Sequence, residues 1–249
     1  MIDIHTHVLP EIDDGASSLE EAVSMCRAAS ADGCTAVVAT PHQRHRAWWN
    51  SDLDLLERLR REVQAAVGPA LRVLPGAEIR VDSELLADLD RWPEAGVLSL
   101  AGSRYLLIEF SRQEPDPDPA GLVHELVVAG WRPILAHPEE IRWLADDLDT
   151  LGHLVELGAS LQVTAASVTG GYGLRIQERA RRLLDEGMVH FVASDTHDTT
   201  LRPPGLCEAA AEISRRWGEA VAHLLTVVNP RAVVEDQPLP APEEALSLP

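Results

Sequence analysis

Residues 1–14 read MIDIHTHVLPEIDD and hold two histidines and three aspartates, two of them adjacent at 13 and 14. Ile2 and Ile4 alternate with polar neighbours toward Val8, the period-two pattern of a short strand. Side chains two apart on a strand share a face. His5 and His7 therefore project together, close enough to share one ion, while Asp13 and Asp14 follow in a turn closed by Gly15. A lone H-x-H also fits two histidines at an ordinary strand end. The choice depends on whether later segments bring partners to the same place.

Working outward, strand-like apolar runs recur at 2–7, 34–39, 71–79, 105–110, 133–137, 160–164 and 189–193. Helical patterns lie between them. One starts at Ser17 or Ser18, where Ser18 and Glu21 form a capping box, and stops at Gly33. Another covers 51–67 with Leu53, Leu56, Leu59 and Val63 on one face. Others cover 121–129, 148–157, 174–186, and 208–217 onward. Seven strands alternating with helices predict an α/β fold with a parallel sheet. With no glycine-rich dinucleotide signature after the first strand, a closed barrel is preferred to an open doubly wound sheet. A single domain is expected over 1–235. The segment 113–121, QEPDPDPAG, reads as a proline-broken loop, and 236–249 as a frayed Pro- and Glu-rich tail.

The polar residues fall where these strands end. His5 and His7 end the first, His42 follows the second in VVATPHQ, and Glu78 lies in PGAEIR. Glu109 ends YLLIEF, His137 ends ILAHPE, and Asp195 and His197 follow the last strand in FVASDTH. In a parallel barrel all these points lie on the C-terminal rim, where active sites are built. Each has an ordinary explanation: a turn histidine, a glutamate paired with arginine, an aspartate capping a helix. Together they need a common cause, because carboxylates beside apolar strands are costly unless balanced by cations. With Asp14, five imidazoles and four carboxylates suit Mn, Fe or Zn. Nine ligands imply two or three ions. The remaining histidines, His45, His124, His153, His190 and His223, read as structural or surface groups.

Composition bounds the alternatives. At 249 residues and 45% hydrophobic content the chain can bury one large core. A formal charge of −19 disfavours nucleic acid and anionic lipid as partners. No apolar run approaches the roughly 18 residues of a membrane span. Three scattered cysteines argue for a reducing compartment, and a cytoplasmic enzyme is expected. Positions six after Cys26, Cys34 and Cys207 hold Asp32, Thr40 and Ile213 rather than arginine, which disfavours cysteine-based phosphate chemistry. The chain contains no lysine, so a barrel amide hydrolase with a bridging lysine is excluded.

The motifs MIDIHTHVLPEIDDGA, ATPH, GAEIR, LIEF, LAHPE, LQVTAASVTGGYG, ASDTH with RPPGL, and NPRAV span nearly the whole chain in order. On these the sequence resembles the PHP (polymerase and histidinol phosphatase) superfamily, most closely its manganese-dependent tyrosine-protein phosphatases of bacterial capsule and exopolysaccharide synthesis. The resemblance implies a distorted, TIM-like (β/α)7 barrel and a trinuclear metal cluster. It implies His5, His7, Asp14, His42, Glu78, Glu109, His137, Asp195 and His197 as metal ligands, with Arg202 as the arginine that binds substrate phosphate. Arg202 and His42 are the candidate catalytic residues. Three positions depart from the pattern: Glu11 stands where glycine is usual, Gln43 where histidine is, and Glu140 where an arginine is expected, with Arg142 a candidate replacement.

The expected reaction is hydrolysis of a phosphomonoester by metal-activated water, without a covalent intermediate. The expected substrate is a phosphotyrosine protein, such as a tyrosine kinase of polysaccharide synthesis. One alternative is a small phosphoester of the histidinol-phosphate type. Another is a metal-bound regulatory protein without activity, which a complete ligand set argues against.

Overall fold

The computed structural model describes residues 1–240 except 93 and 95. Its strands are β1 (Ile2–Thr6), β2 (Ala36–Ala39), β3 (His42–Gln43), β4 (Arg72–Pro75), β5 (Glu78–Arg80), β6 (Tyr105–Glu109), β7 (Arg132–Ala136), β8 (Ser160–Thr164) and β9 (Val189–Ala193). They pair in parallel in the orders β1-β2-β4 and β3-β5-β6-β7-β8-β9. Chain continuity makes these nine segments seven staves, because β2 leads into β3 across Thr40 and Pro41, and β4 into β5 across Gly76 and Ala77.

The breaks have local causes. Pro41 has no N–H to give to the ladder, although its carbonyl still accepts from Glu78 N at 3.1 Å. At Gly76 a Cβ would lie 2.6 Å from Val38 Cγ1, so the stave can pass here only without a side chain. A parallel bridge from Thr6 to Thr196 closes the ring. His7 N donates to Thr196 O at 2.9 Å, and Asp195 N to His5 O at 3.0 Å. The distorted seven-stave barrel expected from the sequence is the fold observed.

Alternation along the staves separates two apolar layers. Ile4, Val38, Leu107, Ile134, Ala136, Phe191 and Ala193 form one buried cluster with Leu100 and Val233. Their neighbours Val37, Leu106, Ile108, Leu135, Leu161, Val163 and Val192 join a larger cluster with residues of the surrounding helices. The main helices are α1 (Leu19–Ala31), α2 (Leu53–Val67), α3 (Leu85–Leu89), α4 (Pro119–Val128), α5 (Leu148–Glu156), α6 (Ala165–Thr169), α7 (Leu174–Asp185), α8 (Leu206–Trp217), α9 (Glu219–His223) and α10 (Asn229–Val234). In α2 the face carrying Leu56 and Val63 is fully buried, each side chain contributing roughly 2 kcal/mol.

The caps follow side-chain chemistry. Ser18 Oγ accepts from Glu21 N at 3.2 Å, but the Glu21 carboxylate turns back to Ser17 N at 2.8 Å, a variant of the expected box. Asp52, Asp118 and Asp147 cap α2, α4 and α5 in the same way. The start of the expected frayed tail is tied down. Asp236 accepts from Arg104 N at 2.8 Å and pairs with Arg132 at 3.0 Å, and Gln237 O accepts from Tyr105 Oη at 2.8 Å. Residues 241–249 of that tail lie outside the described residues. Among the described residues, no helix is long and apolar enough to cross a membrane.

Candidate metal centre

The upper ends of the staves deliver nine side chains to one place. The register of β1 on β2 slips between Asp3 and Thr6, so Ile4 fills the interior cluster while His5 and His7 turn to the rim. Their Nε2 atoms lie 3.3 Å apart. Glu78, buried, takes the centre. Its Oε2 is 2.8 Å from His42 Nδ1, 3.5 Å from His5 Nε2 and 3.6 Å from His7 Nε2, and its Oε1 is 2.8 Å from His137 Nε2. Asp195 Oδ1 lies 3.3 Å from His5 Nε2 and 3.4 Å from His7 Nε2. Asp14 Oδ1 is 3.3 Å from both His42 Nε2 and His197 Nε2.

These contacts resolve into four overlapping donor groups: His7, Asp14, His42 and His197; His5, His137 and Asp195; His5, His7 and Glu78; His42, Glu78 and Glu109. All nine residues singled out in the sequence are among them. Ligands about 2.1 Å from a shared tetrahedral ion sit roughly 3.4 Å from one another. The repeated separations of 3.3 to 3.6 Å are of that size, and the imidazole–carboxylate set suits borderline divalent ions. The residues present therefore fit a metal cluster.

Two of the nine donors sit in strained backbone. His137 (φ 34°) and Asp195 (φ 52°) adopt left-handed conformations just beyond β7 and β9, at about 1–2 kcal/mol each. The sharp turn aims each side chain into the rim instead of continuing the strand. Other groups orient the donors. His7 Nδ1 bonds Asp13 Oδ2 at 2.8 Å, and His5 Nδ1 bonds Gln162 Oε1 at 2.9 Å. Protonation at Nδ1 leaves Nε2 of each ring free to ligate. The same Asp13 carboxylate accepts from Gly15 N at 2.9 Å and His42 N at 3.0 Å. The expected turn former thus ties the H-x-H strand to the next stave.

Charge follows this geometry. Burial lowers the His7 pKa, but the Asp13 carboxylate outweighs it and the group rises to about 9. Burial likewise opposes charge on His137, and Glu78 lifts it to about 9. Burial would raise Glu78 and Asp195, yet the electrostatics and hydrogen bonds of the neighbouring side chains outweigh it and hold both well below the usual carboxylate range. Cations entering the site have to displace protons, so their affinity weakens as the pH is lowered.

A pocket of about 700 Å³ opens over the cluster. Arg202 stands on its wall, Nη2 bonded to Asp195 Oδ2 at 2.6 Å and Nε to Tyr172 Oη at 3.3 Å, with Nη1 4.0 Å from Asp14. Arg80 pairs with Glu109 at 3.0 Å. Arg112 Nη1 lies 3.2 Å from Glu140 Oε2. Arg112, not Arg142, reaches this pocket; Arg142 lines the groove beside it. His45, expected to be structural, also lines the pocket, its ring 4.9 Å from Trp48, which stacks on His42 at 5.2 Å. Sequence reasoning missed Asp13, Gln162, Arg80, Arg112, Tyr172 and Trp48. Gln162 and Tyr172 lie within LQVTAASVTGGYG, where a signal was present. Arg112 has no local signal.

A parallel barrel whose C-terminal rim gathers imidazoles and carboxylates beneath a pocket walled in part by arginines has the fold and donor set of a metal-dependent hydrolase. The chain belongs to the family described as "Capsular polysaccharide synthesis, CpsB/CapC", which it matches over residues 1–235. It is 35% identical over 229 residues to the tyrosine-protein phosphatase YwqE of Bacillus subtilis, covering 91% of this chain and 89% of that one. It is 30% identical over 244 residues to the tyrosine-protein phosphatase CpsB of Streptococcus pneumoniae, covering 95% and 99%. A crystal structure from the work describing YwqE and CpsB as unique metal-dependent tyrosine phosphatases superposes with a TM-score of 0.88, at 33% identity and 96% coverage of both chains.

Proposed function

We propose that this chain is a metal-dependent protein-tyrosine phosphatase of a single domain, acting in the cytoplasm on a phosphotyrosine protein such as a tyrosine kinase of polysaccharide synthesis. Two or three Mn²⁺ ions are the proposed cofactor, Fe or Zn being chemically acceptable substitutes. The ligands are His5, His7, Asp14, His42, Glu78, Glu109, His137, Asp195 and His197. The observation that carries the reading is the convergence of these donors in overlapping groups, each within 4.8 Å, beneath a pocket walled by Arg202.

Divalent ions in such a cluster supply Lewis acidity, lowering the pKa of water and neutralising phosphoryl charge. The protein's part is positioning. Asp195 and Tyr172 fix two edges of the Arg202 guanidinium, which leaves Nη1 to donate to a nonbridging phosphoryl oxygen and to offset charge in the transition state. His42 is held between Asp14 and Glu78 and covered by Trp48, at the boundary between cluster and pocket. The Trp48–His45 wall offers a flat surface to a phenyl ring. A tyrosine leaving group, with a pKa of about 10, needs less protonation than an alkyl alcohol.

The test is steady-state hydrolysis of a phosphotyrosyl peptide and an alkyl phosphate by Mn²⁺-reconstituted protein. The peptide should be turned over much faster, and Arg202→Ala should lower its kcat/KM by about 10²-fold. Full activity in His137→Ala refutes the cluster, and preference for the alkyl phosphate moves the assignment to a small-molecule phosphatase.

A further inference from the structure

A second groove, of about 640 Å³, adjoins the site pocket and shares Arg112 and Gln113 with it. Its other walls are Glu140, Arg142, Arg175, Ile176 and Arg179. Four arginines thus face one glutamate, on a chain whose formal charge is −19. Two of the four are committed: Arg179 is buried against Asp146, and Arg112 is paired with Glu140. The other two are available. Arg142 is exposed and forms no ion pair among the described residues, its backbone N–H tied to Arg112 O at 3.4 Å. Arg175 is 80% exposed and only loosely paired with Asp146, at 3.7 Å.

The groove also meets the start of α7. This helix has no side-chain cap at Gly173 and no acidic residue in its first turn, where Arg175 and Ile176 lie. An arginine at the positive end of a helix is locally unfavourable and adds to the field of the unpaired N–H groups. Arg142, the loosely held Arg175 and the helix end together favour an anion in the groove.

Building on the phosphatase reading above, we infer that this groove binds anionic side chains flanking the phosphotyrosine, either carboxylates or a second phosphotyrosine. The shared Arg112–Gln113 wall brings it within reach of residues next to the one whose phosphate enters the pocket, since an extended chain advances about 3.3–3.6 Å per residue. Arg142 and Arg175 are then specificity-determining residues that touch the substrate away from the reacting atoms.

The test measures binding of labelled peptides to the full, Mn²⁺-loaded chain, with a non-hydrolysable phosphonate in place of the phosphotyrosine. Three peptides share one core and carry alanine, glutamate or a second phosphonotyrosine in the flanks. At low salt the glutamate or phosphonate flank should tighten Kd by about tenfold over alanine, and 0.5 M NaCl should erase most of the difference. A gain from glutamate assigns carboxylates as ligand, and a gain confined to the second phosphonate assigns phosphate. The double variant Arg142→Gln/Arg175→Gln should lose the preference while hydrolysing para-nitrophenyl phosphate at the original rate. Equal Kd for all flanks in the original protein, or a preference that survives the double variant, overturns the inference. Para-nitrophenyl phosphate separates the two readings: its hydrolysis without flank preference sinks the groove alone, and no hydrolysis alongside flank-dependent binding sinks the phosphatase assignment alone.

Discussion

Replacing Asp13 by asparagine should disable the first strand's histidine without touching a proposed ligand. The Asp13 side chain is out of contact with solvent and accepts from three donors: His7 Nδ1, Gly15 N and His42 N. Asparagine keeps one acceptor oxygen and turns the other into a donor. Whichever way the amide is placed, an N–H faces another N–H. If the NH2 meets His7, the ring takes the tautomer protonated at Nε2, the atom needed for ligation. Loss of such a carboxylate partner typically weakens metal binding 10- to 100-fold, about 1.4–2.7 kcal/mol. The loss should depend on pH, because Asp13 raises the affinity of His7 for protons as well as for metal. With the His7 pKa at about 9 in the original protein, protons compete strongly at neutrality, so the gap is largest near pH 9 and narrows below it. Chelator competition with Zn²⁺ at pH 7 and 9, on protein shown to be folded by circular dichroism, checks this. Equal affinity at pH 9 would refute the orienting role of Asp13.

Glu11 sits at φ 57°, so Glu11→Gly should stabilise the fold by about 1 kcal/mol, read as a higher urea midpoint; an unchanged or lower midpoint counts against backbone strain there. Gly15→Ala would place a Cβ 2.1 Å from His7 O, displacing the loop of Asp13 and Asp14, and should lower kcat by about 10²-fold; near-normal turnover would show that the loop gives way elsewhere. Burial lowers the His190 pKa below 6.5, so the unfolded chain takes up this proton first. Its contribution is complete above pH 6.5 and is lost as pH falls below that value. His190→Asn should therefore flatten the decline in urea midpoint between pH 7 and 5.5, and an unaltered slope would exclude His190 as its source.

The barrel was legible because each stave is an apolar run with turn residues after it. Eight of the nine donors were legible because they fall at or just beyond the ends of those runs; Asp14, in the first loop, was singled out from Asp13 by the family resemblance. Other features depend on the third dimension. Asp13 before Asp14 and Gly15 looks like turn chemistry, and only the folded ring shows three N–H groups converging on it. The division of two staves is marked by Pro41 and Gly76; the first run reads as ended where AVVA gives way to polar HQ, and the second, apolar on both sides of the break, reads as continuous. Glu11 was an anomaly in the sequence, and its left-handed backbone explains why glycine is the usual occupant. Arg112 and Glu140 lie far apart in the chain, and nothing local marks their pairing.

The pauses at Thr40–Pro41 and Gly76–Ala77 carry a consequence for how such a molecule changes over generations. Below them, β2 and β4 are stitched into the apolar ring; above them, the short β3 and β5 carry Glu78 and His42 on a separate run of ladder bonds. Substitutions in the upper segments can alter which ion or ester is accepted while the lower register stays in place. The barrel is thereby a socket with a separable crown, its stability and its chemistry open to separate selection.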